Sequence, residues 1–447
     1  MVERVAIIGA GPAGCALACM LTERGIQTTV FDNDKTPSLL VGESLVPAVI
    51  PILRRLGIED RVAAISHVKR GAALRHGNGN RVDFEFRTFG KDYPDYSYNI
   101  PRPGFDRLIR ARAGELGVRF VNHKARVEKV DNNADRELVL SSDSLAAAGY
   151  PPHSPPELLV DATGRSRLFS RKLGISARRG PRNDIAHFAH FRNFVADSAL
   201  PGQVVLSVLR CGWSWQIPLS DSLTSVGVVL DKHAAQHYGD SAAERIESVI
   251  DDNPMLQLAG SGRERVSEVM TYSNYQLISN QAYGKGWILL GDALGFVDPM
   301  LSPGVFMALE SAAVMDEFVF STANNNFATG AHAYYDHMLD WHDAWSKLIA
   351  YFYDGRLLSM GAMRNHIRQH AGPFSISRYA EPIVSRALSQ LVSGVKTRSR
   401  LAQGVLHHSC NHLIKDPEVP QQNRIRSNLI ETECSIRSYA TNRLRAK

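Results

Sequence analysis

The pattern of apolar and polar positions first predicts alternating strands and helices. Residues 4–8 form a short apolar run, residues 12–24 have an Ala-rich helical pattern, and residues 27–32 form a second apolar run. A buried strand, a helix and another buried strand in this order predict a β-α-β unit. A further helix is predicted at about 104–116, and a second strand, turn and helix at 286–320.

Alternating patterns predict strands of another kind elsewhere. Aromatic side chains alternate with other residues over 81–100, and residues 185–230 alternate in the same way, which is typical of antiparallel strands. Further strands are predicted near 118–130 and 157–161. Beyond about residue 330 the pattern becomes mainly helical.

These elements predict an α/β protein with a Rossmann-like nucleotide-binding module, an inserted antiparallel-sheet substrate module and a helical C-terminal region. The nucleotide-binding module is predicted to comprise 1–70, 101–175 and 280–330, the substrate module 71–100 and 176–279, and the C-terminal region 331–447.

Composition indicates an ordinary globular protein. Of the 447 residues, 44% are hydrophobic and 21% charged, and no apolar stretch approaches the roughly 18 residues that span a bilayer. A strand starting at Arg4 leaves no room for a signal peptide. The five cysteines are odd in number and lack the spacing of metal ligands. We therefore expect a cytoplasmic protein without a transmembrane segment or a metal site.

The net charge of +6 is concentrated at the C-terminal end. From Glu381 onward there are 11 Lys or Arg against 5 Asp or Glu, so this segment carries the whole excess. It is either a solvated helical face or a docking surface for an acidic partner. A nucleic acid is disfavoured as the partner, because the segment has few aromatics and no known binding module.

A glycine-rich turn predicts a dinucleotide site. Gly9, Gly11 and Gly14 follow the first strand and open the first helix, and Asp32 ends the second strand. In this arrangement the first glycine makes a tight turn, the second lets the backbone approach a pyrophosphate, and the third allows close helix–strand packing. Asp32 is placed to accept hydrogen bonds from a ribose.

Three later segments identify the dinucleotide as FAD by resemblance. They are similar to motifs of FAD-dependent oxygenases of the para-hydroxybenzoate hydroxylase type. In that family the aspartate of a Gly-Asp pair binds the flavin ribityl chain, and a guanidinium reaches the pyrophosphate. The matching residues here are Asp161 and Gly164, then Gly291 and Asp292, and finally Arg102 and Arg107.

The run 213–218 contains two tryptophans two positions apart. Trp213 and Trp215 should project from the same face of a strand that ends at Ile217-Pro218. Their flat side chains could form part of a hydrophobic core, or they could wall a slot for a planar cofactor or an aromatic substrate.

With FAD implied, this run resembles the Trp-x-Trp-x-Ile-Pro motif of flavin-dependent halogenases. A second motif of that family, Phe-x-x-Pro-x-x-Ser-x-Gly, is matched at Phe296, Pro299, Ser302 and Gly304. Glu43 and Ser44 lie in a segment that also looks like theirs. The resemblance covers roughly residues 4–320 and is nearest to halogenases of carrier-tethered pyrroles or of phenols.

The resemblance implies a halogenation mechanism. A separate flavin reductase would supply FADH2, which forms a C4a-hydroperoxide with O2, and chloride or bromide would attack it to give hypohalous acid. A lysine would relay this species to an electron-rich aromatic substrate, which is either free or bound to an acyl carrier protein. Lys69 matches that lysine by its spacing from Gly71-Ala72-Ala73, whereas Arg70 stays protonated.

One departure from the family pattern leaves other functions open. The family holds halide with backbone N–H groups of the Ser-x-Gly loop, here Ser302 and Gly304, but the residue between them is Pro303, which has no N–H. An FAD-dependent aromatic hydroxylase is the main alternative. A desaturase or reductase flavoprotein and a silent FAD-binding scaffold are the others.

Overall fold

The computed structural model describes residues 2–33, 39–130, 135–151, 154–273, 276–320, 326–360, 376–409 and 424–425. The chain divides into two compact units. The first unit contains residues 1–65, 101–180 and 276–343, and the second contains 66–100, 181–275 and 344–447.

The described residues form 21 strands, numbered in chain order. Those of the first unit are β1 (Arg4–Ile8), β2 (Gln27–Asp32), β7 (Arg119–Asn122), β8 (Val127–Lys129), β9 (Leu138–Leu140), β10 (Leu158–Asp161), β11 (Ala177–Arg179), β18 (Leu277–Ser279), β19 (Tyr283–Gly284), β20 (Trp287–Leu289) and β21 (Gly295–Phe296). Those of the second unit are β3 (His67–Lys69), β4 (Gly71–His76), β5 (Arg81–Glu85), β6 (Ser97–Asn99), β12 (Asp184–Arg192), β13 (Val204–Leu209), β14 (Gly212–Pro218), β15 (Leu223–Asp231), β16 (Glu264–Arg265) and β17 (Met270–Ser273).

The α-helices are numbered in the same way over the described residues. They are α1 (Pro12–Glu23), α2 (Ile50–Arg55), α3 (Glu59–Ala64), α4 (Arg102–Glu115), α5 (Ser142–Ala147), α6 (Leu168–Leu173), α7 (Lys232–Ala235), α8 (Ala242–Asp252), α9 (Pro254–Ala259), α10 (Gly304–Val319), α11 (Phe327–Tyr353), α12 (Ile376–Val392) and α13 (Arg400–His408).

The main sheet of the first unit has six strands in the order β19-β20-β10-β1-β2-β7. All neighbouring strands are parallel except the β19–β20 pair. The strands β1, β10 and β20 are almost completely buried, as expected for parallel strands covered on both faces.

Helix α1 follows β1 without a side-chain cap, because Gly11 precedes it and Pro12 takes the first helical position. Its residues from Ala13 to Leu21 are all buried, so it is a core helix rather than an amphipathic one. It packs against α10 and α4. Most of these buried residues are glycine, alanine or cysteine, whose small side chains let the helix lie close to its neighbours.

The large sheet of the second unit has the order β16-β12-β15-β14-β13-β4-β5, with β17 also paired to β12. The sheet is antiparallel except where β4 and β13 run parallel. The predicted antiparallel sheet is therefore mixed at this one pair. The reason lies in the chain path, because between β4 and β13 the chain passes through residues 101–180 of the first unit before it returns.

One face of this sheet is covered by helices α7, α8 and α9 and forms an apolar core with them. The residues of this core include Phe191, Val228, Leu230, Ile246 and Leu256, all fully buried. The tryptophans of β14 alternate with Ser214, whose cross-strand partner is Val228, so they lie on the other face.

The predicted α/β class, the Rossmann-like module and the inserted sheet module are confirmed. The described residues after 331 are mainly helical, as predicted. Most of the basic C-terminal segment lies outside the described residues, since only 382–383, 385–409 and 424–425 have described side chains beyond Glu381.

Candidate functional site

The turn between β1 and α1 has the backbone that its glycines predict. Gly9 has φ +116°, and a Cβ there would lie 2.3 Å from the carbonyl oxygen of Ala162. A Cβ on Gly14 would lie 2.1 Å from the carbonyl oxygen of Gly9, whereas no atom lies within 4 Å of a Cβ placed on Gly11. The first and third glycines are therefore required by packing, and the second leaves the backbone open to a ligand.

A cavity of about 570 Å³ adjoins this turn within the first unit. It lies at the carboxyl ends of β1 and β2 and beside the loop after β10, which is where open α/β sheets bind dinucleotides. The predicted cofactor residues that line it are Gly9, Gly11, Asp32, Arg102, Arg107 and Gly164.

Asp32 ends β2 and forms an ion pair with Arg110 of α4. Both side chains line the cavity. Arg110 also lies 4.4 Å from the centre of the Phe120 ring, which fixes its orientation. Arg110 was not among the residues predicted from the sequence, although its position three residues after Arg107 places both on one helix face.

Arg102 is held by protein groups at the edge of the cavity. Its Nη1 donates to the carbonyl oxygen of Val41 at 2.6 Å, and its Nε and Nη2 donate to Asp106 at 3.0 and 3.2 Å. A Cβ on Gly42 would lie 2.6 Å from the same guanidinium. Val41 and Gly42 lead directly into the predicted cofactor residues Glu43 and Ser44, which are both buried.

Asp161 shapes the loop after β10. Its Oδ1 accepts hydrogen bonds from the backbone N–H and the hydroxyl of Thr163, at 3.0 and 2.6 Å, and its Oδ2 accepts from the N–H of Phe169 at 2.7 Å. Burial raises the pKa of this carboxyl, and these hydrogen bonds oppose the rise. The carboxylate thus holds the turn that brings Gly164 to the cavity.

Asp292 follows β20 in a short 3₁₀ turn. Burial raises the pKa of its carboxyl to about 6, against the opposing charges of Arg165 and Arg102. Gly291 before it has φ +58°, and its N–H donates to Ser311 Oγ at 3.1 Å. Gly291 and Asp292 are not lining residues of the 570 Å³ cavity, but Asp292 interacts electrostatically with Arg102, which is one.

The predicted halide loop begins α10 in the first unit. Leu301 and Ser302 have φ +64° and +63°, a left-handed conformation that is unusual for residues with side chains. The N–H of Ser302 donates to the carbonyl oxygen of Pro299 at 3.0 Å, and Pro303 precedes the helix without an N–H. Gly304 has open space on its Cβ side.

Trp213 and Trp215 lie side by side on β14 in the second unit, with ring centres 5.8 Å apart, and both are buried. The indole N–H of Trp213 donates to the Tyr353 hydroxyl at 2.9 Å, and that of Trp215 to Ser225 Oγ at 3.3 Å. A Cβ on Gly227 would lie only 2.2 Å from the Trp215 ring. The pair is therefore held in one arrangement by hydrogen bonds and close packing.

Lys69 and Arg70 point in different directions. Lys69 ends β3, is only 2% exposed, and has its Nζ 5.3 Å from the centre of the Phe86 ring. Burial lowers the pKa of its ammonium to about 7. Arg70 has a side chain 43% exposed and pairs with Asp95 at 2.9 Å. Lys69 is thus the buried member of the pair and the one with a perturbed amine.

The candidate residues fall in both units of the chain. The glycine turn, Asp32, the arginines, Asp292 and the Ser302 loop belong to the first unit, whereas Lys69, Trp213 and Trp215 belong to the second. Tyr353 and Ser225, which accept the indole hydrogen bonds, were not predicted, since nothing in the sequence pattern links these positions to the tryptophan strand, β14.

The described ranges contain neither a candidate metal-binding cluster nor a candidate membrane-spanning helix. In that part of the chain, no group of three or more His, Cys, Asp or Glu side chains could hold a metal ion. None of the helices described there has both the length and the apolar character needed to cross a membrane.

Comparison with known proteins agrees with this geometry. Residues 3–198 match the FAD binding domain family model. The open backbone at Gly11, the carboxylate at the end of β2 and the two arginines facing the same cavity fit this cofactor.

Three relatives illustrate the likeness. The chain is 29% identical to the 1H-pyrrole-2-carbonyl peptidyl-carrier-protein chlorinase of Pseudomonas fluorescens, over 75% of this chain and 80% of that protein. It is 26% identical to the corresponding brominase of Pseudoalteromonas luteoviolacea, over 78% and 85%. The flavin-dependent brominase Bmp2 has the same fold, with a TM-score of 0.72 at 22% identity, over 91% of this chain and 98% of that one.

Proposed function

Because this chain is an FAD-dependent enzyme related to the flavin-dependent halogenases, we propose that it chlorinates or brominates an electron-rich aromatic ring, using FADH2 and O2. The observation that carries this proposal is Lys69. A buried amine with a pKa lowered to about 7 is a reactive group, not an ordinary surface charge.

The first unit supplies the cofactor residues. The open backbone at Gly11 would receive the pyrophosphate, Asp32 would bind a ribose, and Arg102 and Arg107 would face the phosphates. Asp292 would bind the ribityl chain, in keeping with the family resemblance. When bound, reduced FAD together with O2 supplies the oxidising equivalents that convert halide into hypohalous acid.

Lys69 would deliver the halogen. With a pKa of about 7, a large fraction of its amines are uncharged near neutral pH and carry a lone pair. Nζ attacks the halogen of hypohalous acid, an N–halogen bond forms, and water leaves with the amine proton. Transfer of the halogen to a ring carbon then releases a ring proton and regenerates the amine. Alternatively, Lys69 holds hypohalous acid by hydrogen bonding while the ring attacks it directly.

Trp213 and Trp215 would wall the space in which the aromatic substrate lies. Their fixed orientation supports this role, because both indole N–H groups are already used by Tyr353 and Ser225. The ring faces offered to a substrate would then be apolar and rigid, as recognition of a flat ring requires.

We propose two partners for this reaction. A separate flavin reductase would supply FADH2. The substrate would be an aromatic acyl group on a carrier protein, which is supported by the carrier-bound substrates in the names of two relatives. The basic excess of the C-terminal segment would favour docking of an acidic carrier protein.

Reconstitution tests the proposal directly. The enzyme is incubated with a flavin reductase, NADH, O2 and bromide, and with phenols, free pyrroles and a pyrrole-2-carbonyl carrier protein in turn. We expect a brominated product from at least one of them and none from Lys69→Ala. Lys347→Ala, which removes an exposed lysine, should retain the activity. Full activity of Lys69→Ala would refute the role of Lys69.

An FAD-dependent aromatic hydroxylase is the second candidate function, and it is favoured by the predicted halide loop, which contains Ser302 and Pro303. The N–H of Ser302 is already donated to Pro299, and Pro303 has none, so two backbone donors of the family's halide loop are committed or missing. A hydroxylase needs no halide and would give an oxygenated product in halide-free buffer. The same product at the same rate in Lys69→Ala would establish it.

A further inference from the structure

Lys69 lies opposite Ser97 in a two-stranded ribbon. Strands β3 and β6 pair antiparallel, with Lys69 directly across from Ser97 and His67 across from Asn99. Directly opposed residues have Cβ atoms about 4.5–5.5 Å apart and project from the same face. Ser97 and Asn99 are therefore neighbours of the Lys69 side chain, although they are about 30 positions away in sequence.

The Ser97 hydroxyl has no evident structural task. The residue is 0% exposed, and its Oγ makes no hydrogen bond to any group in the described part of the chain. Buried hydroxyls are nearly always hydrogen bonded, so one that is not requires an explanation.

Ser97 is not needed to attach the ribbon to the rest of the unit, because Asn99 makes that attachment. The Asn99 side-chain amide donates to the carbonyl oxygens of Gly202 and Pro218, at 2.8 and 3.0 Å. Pro218 is the last residue of the tryptophan strand. Asn99 thus fixes the ribbon, and with it Lys69, against the end of that strand without help from Ser97.

A neutral lysine amine has two N–H donors, so Lys69 can donate to Ser97 in addition to its other contacts. Arg70 is directed to Asp95, and His67 lies on the same ribbon face, two residues before Lys69. Burial alone accounts for the lowered pKa of the amine. Its flexible four-carbon stem allows Nζ, now near the Phe86 ring, to swing across the ribbon.

We propose that Ser97 is a positioning residue for Lys69, whose hydroxyl oxygen accepts a hydrogen bond from the amine and thereby directs the nitrogen lone pair toward the halogen donor. This inference rests on the proposed function of Lys69. The serine hydroxyl can accept a hydrogen bond from the amine through an oxygen lone pair. In that arrangement the amine is the donor, so the nitrogen lone pair stays free to attack the halogen.

The hydrogen bond would also affect the protonation of Lys69. An ammonium donates more strongly than a neutral amine, so an accepting oxygen stabilises the charged form and opposes the effect of burial. Removing the oxygen should lower the pKa of Lys69 further, by about half a unit to one unit.

The test compares Ser97→Ala, Ser97→Thr and a matched control, Ser207→Ala. Ser207 is a buried serine of the same unit whose Oγ accepts a hydrogen bond from Gln216 at 3.1 Å. The pKa of Lys69 is measured by competitive acetylation with acetic anhydride from pH 5 to 10 and peptide mass spectrometry, without halide or reductase. The pH profile of kcat for bromination is measured in parallel.

We expect Ser97→Ala to shift both curves to lower pH and to lower kcat about tenfold. Ser97→Thr, which keeps the hydroxyl, should restore both, and Ser207→Ala should shift neither. If Ser97→Ala does not fold, Ser97→Cys keeps the shape with a much weaker acceptor and should give the same shift. Unshifted curves in Ser97→Ala or Ser97→Cys would overturn the inference. Bromination that persists in Lys69→Ala would instead overturn the proposed function, whatever the acetylation curves show.

Discussion

Replacing Lys69 with methionine should make the folded protein more stable while abolishing halogenation. Methionine has nearly the same length and shape but no charge, so it can fill the buried space near Phe86. The wild-type amine carries a desolvation penalty whenever it is protonated. Loss of the amine removes that penalty together with the group that transfers the halogen.

The size of the stabilisation follows from the pKa. Burial lowers the pKa of Lys69 from an ordinary value of 10.5 to about 7, and each unit corresponds to about 1.4 kcal/mol, so the full penalty is at most about 5 kcal/mol. It is complete below pH 7, where the folded and unfolded forms are both protonated. As the pH rises from about 7 to about 10.5 only the unfolded form binds the proton, so the wild type gains stability and the penalty disappears.

Urea unfolding measures this effect. We expect the urea concentration at the unfolding midpoint to be higher for Lys69→Met than for the wild type at pH 6.5, and the two midpoints to approach each other at pH 10. The difference between the two proteins reports the effect of protonating Lys69, because the other titrating groups are the same in both. Lys347→Met, at an exposed position, should show no such convergence. Equal midpoints of wild type and Lys69→Met at pH 6.5 would refute the lowered pKa.

Three other predictions follow from the cofactor turn, the tryptophan pair and the halide loop. Gly11→Ala should weaken FAD binding in a fluorescence titration and leave the stability of the apoprotein unchanged. Gly14→Ala should lower that stability by about 1–3 kcal/mol, because its Cβ meets the Gly9 carbonyl oxygen. Loss of stability in Gly11→Ala but not in Gly14→Ala would contradict these roles. Tyr353→Phe leaves the Trp213 N–H unpaired and should cost about 1–3 kcal/mol in urea unfolding; no loss would mean that the bond is unimportant. Pro303→Ala restores a backbone N–H and should lower the KM for bromide, and an unchanged KM would place the halide elsewhere.

The elements around the glycine turn were predictable because their signals are local. Strand β1 and strand β2 have the predicted bounds, and α1 ends one residue earlier than expected. Apolar runs and a proline at the first helical position are readable within a few residues. The parallel pairing of β4 with β13 was not predictable, because it depends on a chain path that leaves the second unit and returns.

The burial and the hydrogen-bond partners of the candidate side chains were harder to predict from the sequence. Alternation places Lys69 and Arg70 on opposite faces of a strand, but it does not show that Lys69 is the buried one. The partner of Trp213 is 140 positions away in the sequence. Asp161 was predicted to bind the cofactor. In the structure its two carboxylate oxygens accept hydrogen bonds from Thr163 and Phe169 and hold the turn after β10, which could not be predicted from its position at the end of a strand.

If the proposed function is correct, halide enters this enzyme and leaves on an aromatic ring. The most direct measurement is mass spectrometry of the product formed with a flavin reductase, NADH, O2 and equal chloride and bromide, using pyrrole-2-carbonyl carrier protein and free phenols as substrates. We expect ions with the isotope pattern of bromine or chlorine, which disappear in Lys69→Ala. A product that gains only oxygen, and forms equally well without halide, would contradict the proposed function.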